Sequence, residues 1–485
     1  MKSAIFPRIF AVAALALSLL AEATYSQTFS VVYSFTNSPQ PGDATSSLIL
    51  DNDTLYGITY NGGTSSNGTV FKVKTNGSGY TVIKNFSALS DSYPYTNSDG
   101  AWPSAALVLS GNTLYGTTQN GGSLGGGTVF KVDTDGARYT NLKNFPRPDL
   151  NNHNYDGAFP CAGLVKSGST LYGTARYGGT NGTGTIFKVD TNGGSFAVLK
   201  TFSGNINDFS SPSDGALPSA ALVLSSNTLY GTTYFGGNFG NGTVFMINTN
   251  GSGYSLLKSF PDRVNGANHD GAKPWAGLAL NGSTLYGTTT AGGESGWGTV
   301  FKISTHGDDF TVLRAFANIP DGAYPQSVLL LDGNTLYGTT AAGGSSGNGT
   351  VFKISTDGIG FAIAKCFSAT IGGINTDGAN PNFAGLVLSG STFYGATSSG
   401  GNSGSGTVFK LDLAPQLGAV VFSNSIPQVT ITNFLGQSVD IQAATNLTGP
   451  WELLTNLVLT NGIGQCSDPF GTNLASQRFY RAVAQ

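Results

Sequence analysis

Ionisable chemistry is scarce in this sequence. Only 10% of its 485 residues are charged, against about a quarter in ordinary soluble domains. Three histidines (His153, His269 and His306) supply all the imidazole. None stands in a HExxH or similar ligand spacing, so no metal site and no cofactor are expected. No G-x-S-x-G nucleophile elbow with partners occurs either. The three cysteines (Cys161, Cys366 and Cys466) are odd in number, widely spaced and free of any CxxC pair. They do not suggest a disulfide framework and read instead as small buried residues. A net charge of -3 gives no reason to expect nucleic acid as a partner.

Long apolar runs are also missing beyond the first residues. Lys2 and Arg8 precede an uncharged apolar stretch, Ile9 to Leu20, and the small-residue pattern Ala21-Glu22-Ala23 follows. That order is expected of a secretory signal peptide over residues 1–23. The apolar stretch is shorter than the roughly 20 residues a membrane span needs. The chain is therefore expected to be secreted or held at the cell surface, with no transmembrane segment after processing, and to be monomeric.

What is abundant is glycine, at 70 residues, and repetition accounts for it. Seven copies of one pattern run from 44 to 413, each anchored by a tyrosine: Tyr56, Tyr115, Tyr172, Tyr230, Tyr286, Tyr337 and Tyr394. A Gly-Gly pair starts six residues after each, as at Gly62-Gly63 and Gly343-Gly344. Fifteen residues after each tyrosine stands a phenylalanine: Phe71, Phe130, Phe187, Phe245, Phe301, Phe352 and Phe409. Six copies open with Asp-Gly-Ala and a proline four residues after the Asp, while the first has Gly42-Asp43-Ala44.

Each copy reads as four strands. In the second copy they are a (Ala105 to Leu109), b (Thr113 to Thr118), c (Thr128 to Asp133) and d (Tyr139 to Phe145), with Gly-containing turns between a and b and between c and d. Runs such as Ala106-Leu107-Val108-Leu109 are apolar on both faces, which fits a sheet covered on both sides. The phase of the pattern is informative. A lone d-type strand, Phe29 to Phe35, precedes the first copy, and none follows the last, where Ala414-Pro415 intervenes. The expected fold is all-β: a seven-bladed propeller over 24–414, its N-terminal strand completing the last blade. A linear β-solenoid would explain neither the offset strand nor the count of seven.

The combination Asp-Gly-Ala-x-Pro, Leu-Tyr-Gly-Thr-Thr, Gly-Gly and Gly-Thr-Val-Phe-Lys resembles the GloVer tandem repeat of exported bacterial proteins. The resemblance implies an exported, often surface-associated protein whose relatives carry differing C-terminal anchors. No such anchor is expected from the residues Arg478 to Gln485. Residues 415–485 resemble a small C-terminal β-sandwich module, on Thr445 to Trp451, Asp468-Pro469 and Arg478 to Arg481. Alternation at Val429 to Thr432 and Val439 to Gln442 supports strands there. Trp451 and Phe479 read as core.

The d–a and b–c loops are expected on one face of the ring, where loop variation can carry binding. Residues present in every copy read as scaffold. The repeated Asp (Asp99, Asp156, Asp214, Asp270, Asp321 and Asp377) is expected to accept backbone N–H bonds in its turn. No copy has the dense acidic spacing of a calcium loop. Residues peculiar to one copy are the better ligand-binding candidates: Asp262, Arg263, His269, Lys273, Trp275, Glu294 and Trp297 in the fifth, then Asp149, His153, Tyr155, Arg176 and Tyr177 in the third. Tyr60, Trp102, Tyr234 and Phe235 add rings. Rings beside polar groups suit sugar faces. A non-catalytic scaffold binding carbohydrate or protein is thus expected. The alternative is a polysaccharide hydrolase or lyase with Asp262 and Glu294 as paired carboxylates.

Overall fold

The computed structural model describes residues 28–36, 42–44, 47–150, 153–204 and 213–413, together with six strands between 416 and 484. The expected signal segment, Trp451 and Asp468-Pro469 lie outside the described residues. The described residues contain no helix long and apolar enough to cross a membrane.

Seven antiparallel sheets form a seven-bladed propeller within the compact unit Gln27–Ala414. In the second blade, strand a is Val108–Ser110, b is Thr113–Thr118, c is Gly125–Asp133 and d is Tyr139–Pro146. The fixed tyrosine-to-phenylalanine interval sets the register between b and c. Gly116 pairs with Phe130 and Tyr115 with Lys131, and every blade repeats the register, with Met246 in the lysine's place in blade four. The glycine makes room for the ring: a Cβ at Gly116 would lie 2.6 Å from the Phe130 side chain.

Strand a is shorter than expected. The Ala105 to Leu107 stretch lies outside the ladder, because its counterparts bond to a neighbouring blade instead. In four blades the threonine after Tyr-Gly supplies that link: Thr117 donates to the Ala162 carbonyl at 3.2 Å and Thr232 to that of Ala276 at 3.2 Å, with Thr174 and Thr339 alike. These hydroxyls satisfy carbonyls that would otherwise be buried without partners.

The opening strand closes the ring as the phase of the repeat predicts. Thr28–Ser34 pairs with Thr407–Asp412, with Val31 opposite Phe409 and a bulge before Tyr33. Phe35 donates its N–H to Gly406 at 3.0 Å, as Phe86 does to Gly68 at 3.2 Å. At the centre, Gly385 of the last blade donates to Ser47 Oγ of the first at 2.8 Å.

The core lies between consecutive blades. Tyr56, Val70 and Phe86 of the first pack on Leu107, Leu114 and Phe130 of the second. Phe86 and Phe130 meet edge to face at 5.5 Å, a favoured aromatic geometry. The repeated Asp is structural, as expected. Asp99 is buried and accepts the Ser87 N–H at 3.1 Å. It also meets the strand-d lysine, with Lys84 Nζ at 2.6 Å, and that ammonium sits 4.6 Å from the Tyr139 ring centre of the next blade. Lys143, Lys200, Lys258, Arg314 and Lys365 repeat the pairing with Asp156, Asp214, Asp270, Asp321 and Asp377. At the seam Tyr33 stands in the lysine's place and stacks on Tyr80 at 4.0 Å.

The strands beyond 415 fall in a separate unit. They form two three-stranded antiparallel sheets. One contains Gln416–Ser423, Ile426–Thr432 and Ile463–Ser467; the other contains Glu452–Val458, Ser438–Ala444 and Phe479–Ala484.

Candidate ligand-binding site

The two ends of the blades are chemically different. At one end the a–b and c–d turns are tied together within each blade, as where Thr134 donates to the Asn112 carbonyl at 2.9 Å. At the other end the d–a loop is stitched to the b–c loop of the preceding blade. The residue between Asp-Gly-Ala and Pro makes the stitch: Trp102, Phe159, Leu217, Lys273, Tyr324 and Asn380. Lys273 donates its N–H to the Asn241 carbonyl at 2.7 Å and accepts from Thr290 N–H at 3.1 Å. All six adopt a left-handed backbone, with φ between 53° and 58°. Bulky residues rarely adopt that conformation, and such strain gathers where structure serves function. The Gly-Gly pairs permit the close approach. A Cβ at Gly292 (φ 71°) would lie 2.7 Å from the Gly271 backbone.

A cavity of about 290 Å³ lies among the innermost segments and draws lining from all seven blades, from Ser47 through Ala106, Gly163, Ala221 and Gly277 to Val328 and Phe383. Its wall is mostly Ala, Gly and Ser, and larger groups stand in it at Tyr60, Gln119, Arg176, Trp275 and Phe383. Trp275 of blade five touches three other blades. The Arg176 guanidinium lies 4.8 Å from its ring centre, Tyr234 meets it edge to face at 4.7 Å, and Phe383 packs at 5.5 Å. Arg176 Nε is buried without a hydrogen-bond partner. Cys161 also lines the cavity; burial pushes its thiol pKa up, and Arg176 opposes the rise.

The sequence profile of the Gloeobacter/Verrucomicrobia repeat matches residues 19–212, 92–269 and 264–426. The chain belongs to this repeat family. No curated protein sequence matches the chain. Among solved structures, it is similar to a puromycin-hydrolysing peptidase of Mycobacterium tuberculosis, at 12% identity over 84% of this chain and 62% of that one, with a TM-score of 0.48. It is similar to an oligogalacturonate lyase in complex with manganese, at 10% identity over 80% and 96% of the two chains, with a TM-score of 0.43. TolB from Acinetobacter baumannii aligns at 12% identity over 80% and 75%, with a TM-score of 0.35. At these identities and TM-scores the likeness carries no argument about function.

On this Gloeobacter/Verrucomicrobia repeat scaffold the candidate residues separate into three groups. Arg176 and Trp275 line the axial cavity together. Lys273 and Arg263 form a second group. The Lys273 ammonium lies 5.0 Å from the Phe235 ring centre and 5.6 Å from that of Tyr234. Burial lowers its pKa, and the nearby Arg263 charge lowers it further. Arg263 Nε is buried without a partner. Exposed groups make up the third. His269 Nδ1 lies 3.9 Å from Glu294 Oε1, Tyr155 is exposed, and exposed His153 donates its backbone N–H to Asp149 at 2.8 Å.

Asp262 accepts from Asn241 Nδ2 at 3.4 Å, whereas the neighbour of Glu294 is His269. Trp297 packs edge to face on Tyr324 at 5.2 Å, away from the cavity lining. Tyr177 meets Phe159 at 6.0 Å. Tyr60 stacks near Trp102 at 6.2 Å. Among the described residues no group of three or more His, Cys, Asp or Glu is placed to hold a metal.

Three participants were missed at the sequence level. Phe383 reaches the cavity because the seventh copy, Asp-Gly-Ala-Asn-Pro-Asn-Phe, carries one residue more than the third, Asp-Gly-Ala-Phe-Pro-Cys. Cys161 was read as filler only. Arg147 lies within 5.2 to 5.5 Å of the ring centres of Tyr93, Tyr95 and Phe159.

Proposed function

We propose that this repeat protein is a non-catalytic binding scaffold, exported with loss of residues 1–23, that takes carbohydrate on the loop face at the mouth of the axial cavity. One observation carries the reading. Trp275, Arg176 and Phe383 each occur in a single copy of the repeat, and all three meet at one cavity lined by all seven blades. A cavity near 300 Å³ with apolar walls and a few polar groups is of ligand-site size. Indole beside guanidinium offers a stacking surface and directed donors to a sugar. The separate neighbours of Asp262 and Glu294 give no support to a paired-carboxylate reaction.

A glycan-array screen of the purified protein tests this, with Trp275→Ala and Trp297→Ala beside it. Binding to at least one glycan is expected, lost in Trp275→Ala and kept in Trp297→Ala, whose ring lies outside the cavity. Absence of binding to every glycan, or full binding by Trp275→Ala, contradicts the proposal.

A further inference from the structure

Cations in this propeller follow two patterns. The strand-d set, Lys84 through Lys365, is neutralised by the repeated Asp of each blade. On the loop face, Arg147, Arg176, Lys273 and Arg263 have no carboxylate within salt-bridge distance among the described residues. Arg176 and Lys273 are linked through rings instead: Arg176 to Trp275, Trp275 to Tyr234, and Tyr234 with Phe235 to Lys273. Two of the four also keep a buried donor unused, the Nε of Arg176 and of Arg263. A buried donor without a partner costs stability, so it needs a reason to persist. Lys273 and Arg263 compound the cost by standing close as like charges. The excess is local, because the whole chain carries -3. Lys273 holds its side chain over the rings from a left-handed φ of 58° that glycine would adopt freely.

We infer that the ligand received at this mouth is an anionic saccharide, its carboxylate or sulfate groups taken by Arg176 and by the Arg263–Lys273 pair while a sugar face rests among Trp275 and Tyr234. This rests on the carbohydrate reading above and adds the charge. Guanidinium groups bond paired oxygens of a carboxylate or sulfate, and neither arginine nor the lysine is neutralised by a carboxylate of the protein among the described residues.

Calorimetric titration of the full chain with three oligosaccharides tests the inference: a uronic-acid tetrasaccharide, the same compound fully methyl-esterified, and a sulfated neutral tetrasaccharide. At least one anionic form is expected to bind about tenfold or more tighter than the ester, with affinity falling as salt is raised. Arg176→Gln and Lys273→Gly should each erase most of that difference. Lys273→Gly also separates binding from folding, since glycine accepts the backbone geometry there and the unfolding midpoint should not fall. Comparing the carboxylated and sulfated arms identifies which anion the site prefers. Equal binding of acid and ester, lost in Trp275→Ala, overturns the charge assignment and leaves the carbohydrate reading intact. No binding of any of the three, together with an empty glycan array, overturns both.

Discussion

The guanidinium of Arg176 lies 4.8 Å from the ring centre of Trp275, carrying a contact from blade three to blade five across the mouth of the axial cavity. Trp275 is thus positioned by other blades as much as by its own. A double-mutant cycle with Arg176→Met and Trp275→Ala, read by urea unfolding, should give a coupling of about 0.5–2 kcal/mol. A coupling indistinguishable from zero would show that the two side chains are neighbours without mutual support.

Asp99 and Lys84 make a different kind of pair, a buried carboxylate held by a half-buried lysine. Replacing the carboxylate by an amide removes the charge that faces the Lys84 ammonium beside the Tyr139 ring. Asp99→Asn should therefore cost about 1.5–3 kcal/mol. Adding Lys84→Met should restore a large part of that loss. Chemical denaturation of the single and double variants checks both values.

Lys353 in strand c of blade six predicts a pH dependence. Burial pushes its pKa from 10.5 down to about 8. Between those values the unfolded chain holds a proton that the folded chain has released. Its contribution to stability therefore rises as pH increases from about 8 to about 10.5, and the full penalty persists below about 8. The same position in blade four is Met246. Lys353→Met should flatten this part of the stability–pH curve and raise stability at neutral pH by about 1–3 kcal/mol.

The seam can be tested by one phenylalanine. Phe35 is fully buried and meets Phe71 edge to face at 5.3 Å, as Phe86 meets Phe130 at 5.5 Å. Phe35→Ala should cost about 3–5 kcal/mol, close to the cost of Phe86→Ala. A neutral Phe35→Ala would mean that the opening strand is not docked in solution.

The ring was legible in the sequence because its determinants are local and periodic. The fifteen-residue interval from Tyr115 to Phe130 fixes a hairpin register, and the displaced strand at Val31 announces how the circle closes. The length of strand a was not legible, because Thr117 bonds to Ala162 across a blade boundary that no single copy reveals. The Lys84–Asp99 pair was hidden for a similar reason. The lysine keeps its place two residues before Phe86, but the loop to the Asp varies, shortening to Arg314–Asp321 between blades five and six. At the site, copy-specific residues pointed to Arg176 and Trp275. Only the closed ring shows that both face one cavity, and that Trp297 does not. Phe383 escaped notice because Asn382 shifts it out of phase with the other copies.

Hydrogen exchange, followed by mass spectrometry with and without the uronic-acid tetrasaccharide, tests most directly that the loop face around the axial mouth is the binding face. The account predicts slowed exchange in segments around Trp102, Phe159, Arg176 and Lys273 to Gly277, with the turns at Gly77, Gly136 and Gly193 unchanged. Protection confined to those turns, on the opposite end of the blades, would contradict it.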